Sequence, residues 1–160
     1  VDDLSQKWLT PIPHKKERPE SAKEQTQMVE STVRHARVLA IDDSPEFLSS
    51  LQSFFETRPD FCLVATAQNG CEGIELAQKL HPDLVLMDLQ MAGMNGLEAT
   101  AEIRRRFPEM AVVIITAYEM PSLRQICRTG GASDFVEKSR LHQDLPDALA
   151  RFLISRQTLR

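Results

Sequence analysis

From Val38 onward, two hydrophobic periods take turns along the chain. VLAI at 38–41 is an unbroken apolar run of the kind a strand buried on both faces requires. Ser44-Pro45 then offers an N-cap and a first-turn proline, and Phe47, Leu48, Leu51, Phe54 and Phe55 follow at helical spacing. FCLVATA at 61–67 predicts a second strand, and Asn69-Gly70 a turn. Ile74, Ala77 and Leu80 mark a second helix that ends near His81-Pro82, because a residue before proline is pushed out of the helical region. LVLM at 84–87 predicts a third strand, followed by a loop with Gly93 and Gly96 and a helix from about Leu97 to Phe107 that Pro108 stops. AVVIIT at 111–116 is the most apolar run and the fourth strand. A short helix, Leu123 to Thr129, is closed by Gly130-Gly131. DFVE at 134–137 is the fifth strand, and Leu141, Leu145, Leu149, Phe152 and Leu153 stripe a final amphipathic helix.

Strands alternating with helices in this way predict an α/β fold: a five-stranded parallel sheet with right-handed crossovers and helices on both faces. Residues 1–36 lack either period. They are polar, mixed in charge and broken by proline (TPIPHKKERPE), which predicts a flexible N-terminal tail or linker ahead of a domain at 37–160. Trp8-Leu9 stands out in that arm, either as a docking pair or as part of a solvated segment.

Composition narrows the class. At 160 residues, with 42% hydrophobic content, there is material for one core and not two. The net charge of −4 gives no general attraction to nucleic acid or anionic lipid, so the expectation is that this chain binds no nucleic acid directly and no membrane. No stretch approaches a membrane span or a secretion signal, which predicts a cytoplasmic protein; the start at Val1 rather than Met reads as a processed or excised chain. Cys62, Cys71 and Cys127 are odd in number and lie in apolar or helical stretches, as reduced core thiols would. His14, His35, His81 and His142 share no metal-ligand spacing and read as surface residues.

The candidate chemistry lies where the apolar runs stop. Asp42-Asp43 follows VLAI, Asp88 follows LVLM, Thr116 ends AVVIIT and Lys138 follows DFVE. If the runs are neighbouring parallel strands, all of these groups meet at the carboxyl edge of the sheet, where open α/β sheets bind ligands. Carboxylates about 5 Å apart repel by roughly 3 kcal/mol at an effective dielectric of 20, so three together need a balancing cation. Magnesium (Mg2+) takes oxygen ligands and bridges to phosphoryl groups, and Lys138 adds further positive charge. Taken singly, each of these residues also fits a cap, a turn or a surface position.

The ordered series LAIDDSP, LVLMDLQMAGMNG, VVIITAYE and GGASDFVEKS closely resembles the receiver domain of bacterial two-component response regulators, over about Arg37 to Phe152. The resemblance implies a flavodoxin-like sheet of order 2-1-3-4-5. It implies Asp88 as phosphoacceptor, and Mg2+ held by Asp43, Asp88 and the backbone carbonyl of Gln90, with Asp42 assisting through a water. Thr116 and Lys138 match the positions that contact phosphoryl oxygens, Phe135 the aromatic whose rotamer reports the state, and Gln90 and Tyr118 the positions that tune the approach of water. The implied protein is a signalling switch, not an enzyme beyond self-phosphorylation and slow self-dephosphorylation. It takes its phosphoryl group from a histidine kinase or a histidine phosphotransfer protein and repacks its fourth-helix, fifth-strand, fifth-helix face, with homodimerisation on phosphorylation as an option.

Two departures from the family pattern are visible. Ala92 stands where many relatives have proline. Ser139 follows Lys138 where proline is frequent, and a cis bond before a non-proline residue costs about 3 kcal/mol. Two other readings are open: a Mg-dependent aspartyl-phosphate phosphatase of haloacid-dehalogenase type, against which Asp42-Asp43 lacks an Asp-x-Asp motif, and a receiver-like binding module that is never phosphorylated.

Overall fold

Strands β1 (Ala36–Ile41), β2 (Phe61–Ala67), β3 (Leu84–Asp88), β4 (Ala111–Thr116) and β5 (Asp134–Glu137) pair in parallel in the order β2-β1-β3-β4-β5. The structure is a computed structural model that describes residues 34–118 and 121–158. The expected tail, with Trp8 and Leu9, lies outside the described residues up to position 33. Between the strands run α1 (Pro45–Glu56), α2 (Gly70–Leu80), α3 (Gly96–Arg106) and α4 (Leu123–Thr129); a 3-10 turn at Lys138–Arg140 leads into α5 (Leu141–Thr158).

The helices begin where the sequence offers capping oxygens. Ser44 Oγ accepts from Phe47 N at 3.2 Å, and Asn69 Oδ1 accepts from Glu72 N at 2.9 Å. Asn95 and Glu98 close a reciprocal capping box at the start of α3. At the other end of α2, His81 takes a left-handed conformation (φ 46°) immediately before Pro82, and the helix ends. All peptide bonds of the described residues are trans, including the one after Lys138.

Side-chain alternation along the strands builds two cores. Val38, Ala40, Leu84, Leu86, Val113, Ile115 and Val136 face Leu48, Leu51 and Phe55 of α1 and Leu145 and Leu149 of α5. Leu39, Ile41, Val85, Met87, Val112, Ile114 and Phe135 face Ile74 and Ala77 of α2, Ala99 and Ile103 of α3, and Cys127 of α4. Both faces of the inner strands β3 and β4 are therefore dry, which is why they read as continuous apolar runs. Each fully buried Leu or Ile contributes about 1.5–3 kcal/mol, and truncating Leu86 to Ala would cost roughly 2–5 kcal/mol by opening a cavity.

The cysteines correct an expectation. Only Cys127 is a core thiol; Cys62 and Cys71 are exposed. Cys62 lies on the edge strand β2, and Cys71 lies in the first turn of α2, where an apolar neighbourhood in sequence does not ensure burial. Among the described residues no helix is long and apolar enough to cross a membrane.

Candidate functional site

Strand register brings the polar strand ends together. Ile41 pairs with Met87, so Asp42 arrives beside Asp88; Asp88 pairs with Ile115, so Thr116 lies one step further along β4; Thr116 pairs with Glu137, so Lys138 follows on β5. Sequence reversal between β1 and β3 opens the crevice at this edge, since β2 lies on one side of β1 and β3, β4 and β5 on the other. Alternation also sorts the groups by face. Asp42, Asp88 and Lys138 continue the phase of Ala40, Leu86 and Val136, toward α1 and α5. Thr116 continues the phase of Ile114, toward α2, α3 and α4, which is also the side of Phe135.

One oxygen from each of Asp42, Asp43 and Asp88 lies within 4.8 Å of the others. Asp42 and Asp88 are buried and Asp43 is exposed, so the cluster runs from the buried sheet edge out to solvent. The Lys138 ammonium balances them, 2.5 Å from Asp42 Oδ2 and 3.3 Å from Asp88 Oδ1. Asp42 Oδ1 accepts from Ser44 N at 2.9 Å, while buried Oδ2 accepts no aligned hydrogen bond although the ammonium is close. An oxygen so placed, in a set of hard carboxylate donors, fits a divalent cation of the magnesium kind.

Electrostatics single out Asp88. Its carboxyl is raised from the usual 3.8 to about 6: burial is the main cause, Lys138 opposes it, and the charges on Asp42 and Asp43 add to the rise. At neutral pH the group is mostly ionised, yet it is held at a cost that a bound cation would relieve.

The remaining sequence-predicted residues sit around this cluster. Thr116 is fully buried, and its Oγ1 accepts from Tyr118 N at 3.3 Å. Tyr118 is half exposed and Gln90 exposed, each two residues past a strand end. The Phe135 ring is turned inward at 5% exposure, with the Arg124 guanidinium 5.0 Å from its centroid.

Two contributors were not singled out by sequence reasoning. At Gly96, a Cβ would stand 2.0 Å from the carbonyl oxygen of Asp88, so only glycine lets α3 begin against the loop that carries Gln90. Gly96 N also donates to Leu89 O at 3.0 Å. Phe47 reads as one more member of an apolar stripe, but its ring lies 4.4 Å from Lys138 Nζ. No local signal separates that ring from its neighbours Leu48 and Leu51.

Comparison with known proteins gives a consistent picture. Residues 38–150 match the response regulator receiver domain family. The chain is 34% identical over 113 residues to the transcriptional regulatory protein LiaR of Bacillus subtilis, covering 71% of this chain and 54% of that protein. It is 36% identical over 116 residues to the nitrate/nitrite response regulator protein NarL of Escherichia coli, covering 71% and 53%. A crystal structure of a LuxR-family two-component response regulator from Aurantimonas sp. SI85-9A1 superposes with a TM-score of 0.72 at 30% identity, over 76% of this chain and 87% of that one. The chain thus spans about half the length of the curated relatives it matches.

These matches overturn the expectation of no direct nucleic-acid binding, because one relative is a transcriptional regulator and the solved one belongs to the LuxR family. The physical reason is that a net charge is a sum over the whole chain. It bears on unspecific attraction and not on which partner a regulator engages.

Proposed function

The chain belongs to the response regulator receiver domain family, and on that premise we propose that it is a phosphorylation-controlled switch whose phosphoacceptor is Asp88. The observation that carries the reading is the meeting of Asp42, Asp43, Asp88, Thr116 and Lys138 at one edge of the sheet, with a carboxylate at its centre that is buried and still ionised at neutral pH. Neither a haloacid-dehalogenase phosphatase nor a non-phosphorylated binding module is supported by the comparisons.

In the reaction, an Asp88 oxygen attacks the phosphorus of a phosphohistidine on a histidine kinase or a phosphotransfer protein. The P–O bond to Asp88 forms as the P–N bond breaks, and the electron pair leaves with the imidazole, which takes up a proton. With acetyl phosphate, the P–O bond to the acetyl group breaks and acetate departs. Such transfers depend on positioning and charge neutralisation more than on covalent help. Asp43, Asp88 and the Gln90 carbonyl would hold Mg2+, with Asp42 assisting, and the cation supplies neutralisation of phosphoryl oxygens. Lys138 and the Thr116 hydroxyl take the phosphoryl oxygens that face β4 and β5.

The aspartyl phosphate carries about −2 charges at neutral pH. It draws Lys138 off Asp42, and Thr116 toward the phosphoryl group, and the inward rotamer of Phe135, on the same sheet face as Thr116, gains the vacated space. The face made by α4, β5 and α5 is thereby biased between two packings, and a swing from 1:99 to 99:1 takes about 5.5 kcal/mol. Homodimerisation and a transcriptional output in the cytoplasm fit that readout.

The test is intact-mass measurement after incubation with acetyl phosphate, with and without Mg2+, on wild type and Asp88→Asn. A phosphoryl adduct that needs the metal and is absent from the variant is expected. An adduct of equal yield in Asp88→Asn would remove Asp88 from its role.

A further inference from the structure

We propose that Phe47 is a positioning residue for the phosphoryl-binding lysine, acting through the face of its ring. The proposal rests on the switch reading above and concerns how the amine is held. Lysine is a point charge on a flexible four-carbon stem, so its placement depends on what surrounds the charged end. Here the Lys138 ammonium lies 2.5 Å from Asp42 Oδ2, 3.3 Å from Asp88 Oδ1 and 4.4 Å from the Phe47 ring centroid. The last is within the distance at which the negative face of an aromatic ring attracts a cation.

The backbone that carries the ring is also tied to the same carboxylate that the lysine binds, by a closed circuit of contacts. Asp42 Oδ1 accepts from Ser44 N at 2.9 Å. Ser44 Oγ caps α1 by accepting from Phe47 N at 3.2 Å. Phe47 then faces the ammonium, and the ammonium returns to Asp42. The first two links are local; the last two, Phe47 to Lys138 and Lys138 to Asp42, join the start of α1 and the end of β1 to the residue that follows β5. Strand alternation explains why it closes: Asp42, Asp88 and Lys138 continue the phase that faces α1 and α5, and Phe47 packs against that same core while staying half-buried at its rim.

The consequence concerns the transfer step. Two carboxylates compete for Lys138, and one of them is the nucleophile. The ring gives the ammonium a contact that does not depend on either carboxylate, so it stays beside Asp88 when a phosphoryl oxygen replaces a carboxylate oxygen as its partner. A ring that served only to fill the core would have no such link to Lys138.

A double-mutant cycle separates the two. Phe47→Leu keeps an apolar side chain and removes the ring; Lys138→Met removes the cation. The rate of adduct formation with acetyl phosphate and Mg2+ is expected to fall about fivefold on Phe47→Leu when Lys138 is present, the size of a ~1 kcal/mol cation–ring contact. In the Lys138→Met background the same change is expected to alter the rate by less than about 1.5-fold, and Phe47→Tyr, which keeps a ring, is expected to stay within about twofold of wild type. Equal losses in both backgrounds, or a loss in Phe47→Tyr as large as in Phe47→Leu, would overturn the proposal. Urea unfolding of the same four proteins needs no phosphoryl donor, so it tests the pairing even if wild type forms no adduct, an outcome that would sink the switch reading instead. There the two substitutions are expected to be non-additive by about fivefold in the unfolding constant, and additivity would count against the ring. Should Phe47→Leu not fold, Phe47→Met runs the same comparison with a side chain that adapts to the cavity.

Discussion

Replacing Asp88 with Asn is expected to stabilise the domain in metal-free buffer, although it removes an ion-pair partner. Two further carboxylates lie within 4.8 Å of Asp88, and each repels it by roughly 3.5 kcal/mol at an effective dielectric of 20. Lys138 at 3.3 Å returns about 5 kcal/mol on the same scale, which offsets most of the repulsion, and burial, the largest cause, sets the balance against the ionised form. The carboxyl's rise from 3.8 to about 6 expresses the net effect and corresponds to roughly 3 kcal/mol. Because the folded state holds its proton more tightly than the unfolded chain, this contribution is fully present below about pH 3.8 and is lost as pH climbs through about 6. Asn carries no charge at any pH. Asp88→Asn should therefore exceed wild type by about 2–3 kcal/mol near neutral pH, measured by urea unfolding with a chelator present. The advantage should shrink toward zero as pH falls through that window. Millimolar magnesium should narrow it from the other side by stabilising wild type more than the variant. A variant no more stable than wild type at neutral pH, or an advantage that stays constant down to acid pH, would refute the reasoning.

Other outcomes follow from the same geometry. Tyr118→Ala should shorten the lifetime of the aspartyl phosphate, because the half-exposed ring two residues past Thr116 would shield the acyl phosphate from water; decay followed by mass after donor removal that is equal or slower would discard the idea. Gly96→Ala should cost about 2–3 kcal/mol in chemical unfolding and weaken magnesium binding, since a Cβ there meets the Asp88 carbonyl at 2.0 Å. Native alkylation should label Cys62 and Cys71 and spare Cys127, whose thiol burial pushes up, with Cys127 reacting only after unfolding; a mass showing Cys127 labelled in the native protein would contradict its burial.

Much of this protein is legible along the chain because the relevant patterns fit within a short window. A short apolar run bounded by turn signals reads as a strand covered on both faces, as β3 and β4 are, and Ser44, Asn69 and Asn95 cap the helices that follow them because the capping oxygen and the free N–H are two or three residues apart. The order of polar residues at strand ends likewise pointed to a shared edge. What no window contains is the identity of neighbours across strands. Pairing of Ile41 with Met87 and of Thr116 with Glu137 decides that Lys138 meets Asp42 as well as Asp88, and it is this meeting, together with burial, that sets the acidity of Asp88. The same holds for Phe47, which shares an apolar stripe with Leu48 and Leu51 yet faces an ammonium, and for Cys62, which lies in an apolar strand yet is exposed because that strand is the sheet's edge. Periodicity is written by each segment for itself, whereas contact and field strength fall with distance in space, and only the closed fold fixes those distances.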